Sequence, residues 1–247
     1  IYRMEDVLSG KCSPYDLVQQ LTKEELTALC VGTARGGEEE TSTIGAASRA
    51  CPGAAGETTS SLIKSRNIHN IILADGPAGL RLSPIFTVDD GQNVTWQKPA
   101  LGNDFMDIFM KQDNRPLKEK EVTYYQYCTA FPVGTALAQT WDTELMTKFG
   151  KAIAEEMEEF HVNLWLAPGM NIHRNPLCGR NYEYYSEDPY LTGMLAAAVT
   201  RGVQSKPGCG VTIKHFACNN QEDNRMGVDS RVSERALREI YLRGFEI

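Results

Sequence analysis

The chain has 247 residues, 42% apolar and 23% charged, with a formal net charge of -7, a balance that fits a soluble globular protein and excludes a disordered chain or a fibre. There is no basic run to neutralise phosphates, so nucleic acid is not an expected partner. No stretch reaches the roughly 18 apolar residues a membrane helix needs, and no membrane partner is expected.

The N-terminus, Ile1-Tyr2-Arg3-Met4-Glu5, is not a signal peptide and has no initiator Met, which implies a chain cut from something longer. Residues 3–31 carry two helical patterns. The second opens at Thr22 with Glu25 three residues on, a capping-box arrangement before Leu26, Leu29 and Cys30. From Gly32 to Ser61 the Gly, Ala, Thr and Ser content rises and periodicity is lost, as in a loop that either covers a ligand or lies on the surface. Residues 1–64 therefore form a lead-in of helices and loop, expected to pack against the remainder of the chain.

Ile71-Ile72-Leu73-Ala74 predicts a buried strand that ends in the turn Asp75-Gly76-Pro77-Ala78-Gly79-Leu80-Arg81. Residues 82–128 are polar, aromatic and irregular, with a charge-rich patch from Lys111 to Glu121, and are expected to be an insertion. A helix then runs to about Phe160, with Leu145, Phe149, Ile153 and Met157 at helical spacing and Asp142 as its N-cap. Val162 to Ala167 is a near-continuous apolar run broken by Pro168-Gly169-Met170-Asn171, and a loop runs on to Asp188. A helix from Pro189 to Gln204 has Pro in its first turn. Val211-Thr212-Ile213 is the next strand, and Ser233 opens a helix still running at Phe245.

Strands that are apolar on both faces and alternate with helices specify a parallel sheet covered by helices. The fold class is α/β, a partial (β/α)8 TIM-type barrel over residues 65–247 interrupted by the insertion 82–128. A complete barrel takes about 250 residues. With the lead-in and insertion counted, about the first half is expected here, the remainder lying beyond Ile247 together with a second domain.

Seven cysteines, at 12, 30, 51, 128, 178, 209 and 218, are odd in number and scattered, as for free thiols in a reducing cytoplasm. A cytoplasmic location is expected, and the sequon Asn93-Val94-Thr95 matters only in a secretory pathway. Of four histidines, His69 and His161 lie outside the polar loops, and no metal-ligand spacing, G-x-S-x-G elbow or Gly-rich phosphate loop occurs. No metal and no cofactor are expected.

Three polar clusters come after three successive predicted strands, and in a parallel barrel those ends converge on one pocket. The first is Asp75 with Arg81; Asp75 either accepts from vicinal hydroxyls or closes an Asx-turn. The second runs from Arg174 to Pro189. There Arg180 can fork two donors onto a hydroxyl or carboxylate, and the tyrosines can offer flat surfaces to sugar rings. The same carboxylates could instead form an internal salt-bridge network, with Glu187 and Asp188 capping the next helix. The third is Lys214-His215-Phe216-Ala217-Cys218-Asn219-Asn220-Gln221-Glu222-Asp223-Asn224-Arg225. Here Lys214 and His215 offer donors to a polyol, and Arg225 can fold back onto a carboxylate. Burying charge costs several kcal/mol unless it is paired, so core packing is a poor account of this segment.

The motifs Asp75 to Arg81, Gly179 to Pro189, and Lys214-His215-Phe216 with Asn219, Asn220, Gln221, Glu222 and Arg225 resemble the signatures of glycoside hydrolase family 3, in its bacterial β-glucosidase-like branch. Ser233-Glu234-Arg235-Ala236-Leu237-Arg238-Glu239 continues the likeness, which covers about residues 65 to 247 apart from the insertion. The resemblance implies a retaining β-glycosidase, most simply a β-glucosidase, that removes terminal non-reducing sugars from β-linked oligosaccharides or glycosides. It implies that Asp75, Arg180, Lys214, His215 and Arg225, with Arg81 beside them, bind the sugar next to the scissile bond. It further implies a nucleophilic Asp in a Ser-Asp-Trp segment, which this sequence lacks, and an acid Glu from the second domain. The chain alone is then expected to be inactive, and a non-catalytic carbohydrate-binding protein is the alternative. The N-acetylglucosaminidase branch is disfavoured because the stretch after Lys214-His215 reads Asn219-Asn220-Gln221-Glu222, without that branch's further His.

Overall fold

The computed structural model describes residues 1–31, 51–58, 61–98 and 117–247. The chain divides into two compact units, the first built from Ile1–Ala74 and Arg81–Tyr127, the second from Asp75–Leu80 and Cys128–Ile247.

In the first unit the lead-in forms three helices where periodicity predicts two: α1 (Met4–Leu8), α2 (Pro14–Gln19) and α3 (Lys23–Val31). The break arises at Ser13-Pro14. The Ser13 side chain accepts from the Asp16 amide at 3.2 Å, and the Asp16 carboxylate accepts from the Ser13 amide at 2.9 Å, so a new helix nucleates there. The capping box at Thr22 forms as the spacing predicts, with amide contacts of 2.9 and 3.1 Å to and from Glu25. Glu25 also accepts two bonds of 3.0 Å from Arg66, the last residue of α4 (Ser61–Arg66), so one carboxylate both caps α3 and ties it to α4. Strand β1 (Gly56–Glu57) pairs antiparallel with β2 (Ile72–Asp75).

The stretch 82–128 corrects the expectation of irregular chain. Strands β3 (Ile85–Val88), β4 (Val94–Gln97) and β5 (Val122–Tyr125) form an antiparallel sheet in the order β4-β3-β5. The β-branched and aromatic residues that build it fit a pleated surface, but they carry no continuous apolar run to give them away. Cross-strand pairs hold the register: Phe86 lies opposite Tyr124 with ring centroids 5.4 Å apart, and the Thr87 and Thr95 hydroxyls are 2.9 Å apart. Residues 32–50 and 59–60 of the predicted loop, and 111–116 of the predicted charge-rich patch, lie outside the described residues.

In the second unit, α5 (Gly134–Ala138) precedes α6 (Thr143–Glu159). Asp142 caps α6 as predicted, accepting from the amides of Glu144 and Leu145 at 2.8 and 3.0 Å. Phe149, Ile153 and Met157 are buried, but Leu145 is 40% exposed and Met146, at 0%, takes its place on the buried face. Strand β6 (Leu164–Leu166) runs parallel to β7 (Gly210–Val211), and between them α7 (Pro189–Gln204) occupies the predicted residues. Asp188 caps α7 through the amides of Tyr190 and Leu191 at 2.7 and 3.1 Å. Both strands are shorter than predicted, although the parallel ladder resumes at a bridge between Gly169 and Lys214. The predicted C-terminal helix divides into α8 (Glu234–Ala236), capped by Ser233, a π-helical turn over Leu237–Tyr241, and α9 (Arg243–Glu246). Among the described residues no helix is long and apolar enough to cross a membrane.

Helices α6 and α7 cross backbone to backbone. A Cβ at Gly150 would sit 2.3 Å from the Val199 carbonyl oxygen, and one at Gly202 would sit 2.3 Å from that of Thr147. The close crossing leaves Ile153 and Met157 of α6 and Leu195 and Val199 of α7 with no exposed surface. Gly150→Ala is expected to destabilise the protein by about 1–3 kcal/mol through overpacking, seen as a lower Tm. An unchanged Tm would show that the two helices part without cost.

Candidate active site

Lys214 stands where the parallel ladder of β6 and β7 ends. Its amide donates to the Pro168 carbonyl at 3.1 Å, and its carbonyl accepts from the Met170 amide at 2.7 Å, so the backbone is held on both sides. Its Nζ lies 2.6 Å from Oδ1 of Asp75, the last residue of β2. The Gly76 amide donates to the same oxygen at 2.9 Å. The two side chains are only 13% and 20% exposed. Sheltering either charge alone would cost several kcal/mol, and pairing offsets that cost. The Trp165 indole, fully buried, donates to the Gly76 carbonyl at 2.8 Å and anchors the turn that carries Asp75.

His215 is gripped by its backbone and by its ring. The Asn171 side chain, 3% exposed, donates to the His215 carbonyl and accepts from the His215 amide, each at 2.8 Å. The ring nitrogen Nδ1 is 3.0 Å from the Tyr184 hydroxyl, and the two rings meet edge to face with centroids 6.0 Å apart. Burial lowers the His215 pKa to about 4, and the positive charges of Arg180 and Lys214 act in the same direction, so the imidazole is neutral at pH 7. Burial pushes the Tyr184 hydroxyl up to about 12.

The arginines share carboxylates. Arg180 pairs with Glu183, whose side chain is 4% exposed, and lies 3.9 Å from Glu222. Glu222 accepts from Asn219 at 2.7 Å and from Arg225 at 2.9 Å. Arg180, His215, Phe216, Asn219 and Arg225 line one cavity of about 460 Å³, within the range of small-ligand pockets. The loop that delivers Arg180 is fixed by the His173 ring, 2.9 Å from the Asn181 carbonyl oxygen, and by the Thr135 hydroxyl, which donates to that oxygen at 2.8 Å.

Five of the six predicted residues, Asp75, Arg180, Lys214, His215 and Arg225, belong to the second unit, and Arg81 belongs to the first. Asp75 meets Lys214, while Arg180, His215 and Arg225 share the cavity lining. In the second cluster the internal salt bridge forms between Arg180 and Glu183, Arg180 also lines the cavity, and Asp188 caps a helix. The tyrosines correct one expectation. Tyr184 and Tyr185 are 0% and 4% exposed and present no free face, whereas Tyr182 is 56% exposed. Sequence reasoning missed Asn171 as the clamp on His215, and Tyr184, itself held by Asn219, as the partner of the His215 ring. The signal for Asn171 was its place beyond β6, comparable with that of Asp75 at the end of β2. Among the described residues no group of His, Cys, Asp and Glu side chains could hold a metal ion.

The described groups supply three carboxylates (Asp75, Glu183 and Glu222), one ammonium, one neutral imidazole and two guanidinium groups, placed at or beyond the ends of β2, β6 and β7. Such a set can hydrogen-bond a polyhydroxylated ligand. The family model described as the glycosyl hydrolase family 3 N terminal domain matches residues 117–247. Beta-glucosidase A of Butyrivibrio fibrisolvens is 58% identical over 119 residues, 48% of this chain and 14% of the relative. An exo-alpha-(1->6)-L-arabinopyranosidase of Bifidobacterium longum is 42% identical over 184 residues, 74% of this chain and 20% of the relative. Beta-glucosidase 3B of Thermotoga neapolitana, solved in complex with alpha-D-glucose, superposes with a TM-score of 0.71 at 45% identity, covering 94% of this chain and 27% of that one. With the parallel strands and covering helices, these likenesses establish a TIM-barrel-type α/β fold. The chain thus spans between 14% and 20% of the length of these curated relatives.

The folded His215 holds its neutral form down to about pH 4, whereas an unfolded histidine protonates near 6.5. Between those values the unfolded state binds the extra proton, so this contribution to stability is full above about 6.5 and is lost as pH falls toward 4. His215→Gln should therefore flatten the acid side of a Tm-against-pH curve in that window. Parallel curves for the two proteins would show that His215 titrates alike folded and unfolded.

Proposed function

The chain belongs to glycosyl hydrolase family 3, and on that premise we propose that it supplies the sugar-binding shell of a retaining β-glycosidase of β-glucosidase type. The substrate would be a terminal non-reducing β-linked sugar of an oligosaccharide or glycoside. The single observation that carries this reading is the ion pair of Lys214 and Asp75 at 2.6 Å, next in sequence to a neutral His215 that lines a cavity with two arginines. A pre-paired ammonium and carboxylate at a strand end can exchange part of their mutual bond for two vicinal hydroxyls, the carboxylate accepting and the ammonium donating. Arg180 and Arg225 add donors, and the neutral His215 adds an N–H without adding charge.

A retaining reaction needs two carboxyl groups about 5 to 5.5 Å apart, one attacking the anomeric carbon and one protonating the leaving oxygen. No Ser-Asp-Trp segment occurs in this sequence. In this proposal nucleophile and acid are supplied by chain outside the present 247 residues, and the present chain alone is inactive. Residues 65–247, with 82–128 as an insertion, are then the first part of the barrel domain, and the protein works in the cytoplasm, where its odd complement of cysteines stays reduced.

A second reading keeps the grip and changes the sugar. The likeness to an exo-alpha-(1->6)-L-arabinopyranosidase, 42% identical over 184 residues, supports a pyranoside other than a glucoside as the alternative substrate. A panel of nitrophenyl glycosides on the full-length protein separates the two.

Lys214→Ala in the full-length protein is expected to lower kcat/KM by about 10- to 100-fold, the cost of a lost charge-assisted hydrogen bond, with a smaller effect on Tm because water entering the space the lysine leaves solvates the 20% exposed Asp75 carboxylate. A collapse of Tm with unchanged specific activity would make Lys214 a stabilising residue only. Asp75→Ala should weaken binding of glucose or gluconolactone, measured by calorimetry; unaltered binding would remove Asp75 from the sugar shell.

A further inference from the structure

The Tyr184 hydroxyl is fully buried and has two partners, Nδ1 of His215 at 3.0 Å and Nδ2 of Asn219 at 3.0 Å. The orientation of the Asn219 amide is settled by its other neighbour. Nδ2 lies 2.7 Å from Oε1 of Glu222, which also receives Arg225 on its second oxygen at 2.9 Å. A carboxylate only accepts, so turning the amide over would set oxygen against oxygen. Asn219 therefore donates one N–H to Glu222 and the other to Tyr184.

With one lone pair taken by Asn219, the Tyr184 oxygen still has its own proton to place. Away from water, the acceptor it meets is Nδ1 of His215. If Nδ1 carried the proton, the tyrosine O–H would be a buried donor without an acceptor, a loss of the full desolvation penalty. A doubly protonated ring would leave the same orphan and would face the positive charges of Arg180 and Lys214. Nε2 has no protein partner among the described residues, and His215 lines the 460 Å³ cavity.

We propose that Glu222, Asn219 and Tyr184 form a directional hydrogen-bond relay that locks His215 in the Nε2–H tautomer, with Asn219 and Tyr184 acting as positioning residues for a donor to a sugar hydroxyl. The sugar-binding part rests on the function proposed above; the tautomer does not. The direction is fixed at Glu222: a carboxylate that only accepts makes Asn219 the donor to both of its neighbours, and Tyr184, already accepting, gives its proton to His215. The relay thereby converts an imidazole that could present either a lone pair or an N–H into one that only donates. Selectivity follows for ligands that place an oxygen acceptor at that point over ligands that place a donor there.

Neutron diffraction from deuterium-exchanged crystals of the full-length protein reads the arrangement directly. Deuterium on Nε2 of His215, with the Tyr184 deuteron directed at Nδ1, is the expected result, and deuterium on Nδ1 would overturn the relay. Tyr184→Phe frees both tautomers while keeping the ring that fills the core, and gluconolactone affinity is expected to fall about tenfold with little change in Tm. Unchanged affinity in this variant would overturn the positioning role. If the parent protein fails to bind gluconolactone at all, the sugar-binding reading falls while the deuterium position still decides the relay.

Discussion

An ammonium and a carboxylate 139 positions apart in the chain meet at 2.6 Å where two strands end. Neither could be sheltered there alone, because desolvating a lone charge costs several kcal/mol while the pair offsets most of it. The pair joins the Asp75 carboxylate to a lysine three residues past β7, whose backbone is held in turn by Pro168 and Met170. Two further devices make the coupling rigid: Trp165 holds the turn beyond Asp75 from beneath, and Asn171 holds the backbone of His215.

The electrostatics of that edge follow from crowding cations around one ring. Arg180 and Lys214 flank His215, and burial adds to their effect, so the ring stays neutral while the guanidinium groups are answered by Glu183 and Glu222. The result is a surface that offers hydrogen bonds of defined direction without an excess of charge, a chemistry suited to a neutral polyol. A phosphate or carboxylate ligand would have called for guanidinium groups left unanswered. The overall charge of -7 fits the same conclusion.

Several features were legible in the residues because they depend on local physics. The caps at Thr22, Asp142 and Asp188 and the bounds of α7 were readable because a side-chain acceptor placed two or three residues before unpaired amides acts without help from the rest of the chain. The apolar runs before Asp75, Asn171 and Lys214 marked strands because parallel strands are covered on both faces. The three-stranded sheet of 85–125 escaped notice because its stability comes from cross-strand pairs, such as Phe86 with Tyr124, whose members are far apart in the chain. Leu145 and Met146 exchange places for a similar reason. Which neighbour faces inward depends on how α6 is rotated against α7 at Gly150 and Gly202, a contact no single helix encodes.

Residue types and their order were enough to name the family, the barrel-type fold and the polar residues at the strand ends, since the chemistry of a site is carried by side chains and strands announce themselves by unbroken apolar runs. Partners were another matter. That Lys214 answers Asp75, that Glu222 gathers Asn219 and Arg225, that Tyr184 is a buried partner of His215 and not a flat platform, all depend on folding that brings residues 31 to 139 positions apart within hydrogen-bond reach, or on which face of a loop turns inward. A hydrogen bond is decided within tenths of an ångström, and only the packed tertiary structure sets distances at that scale.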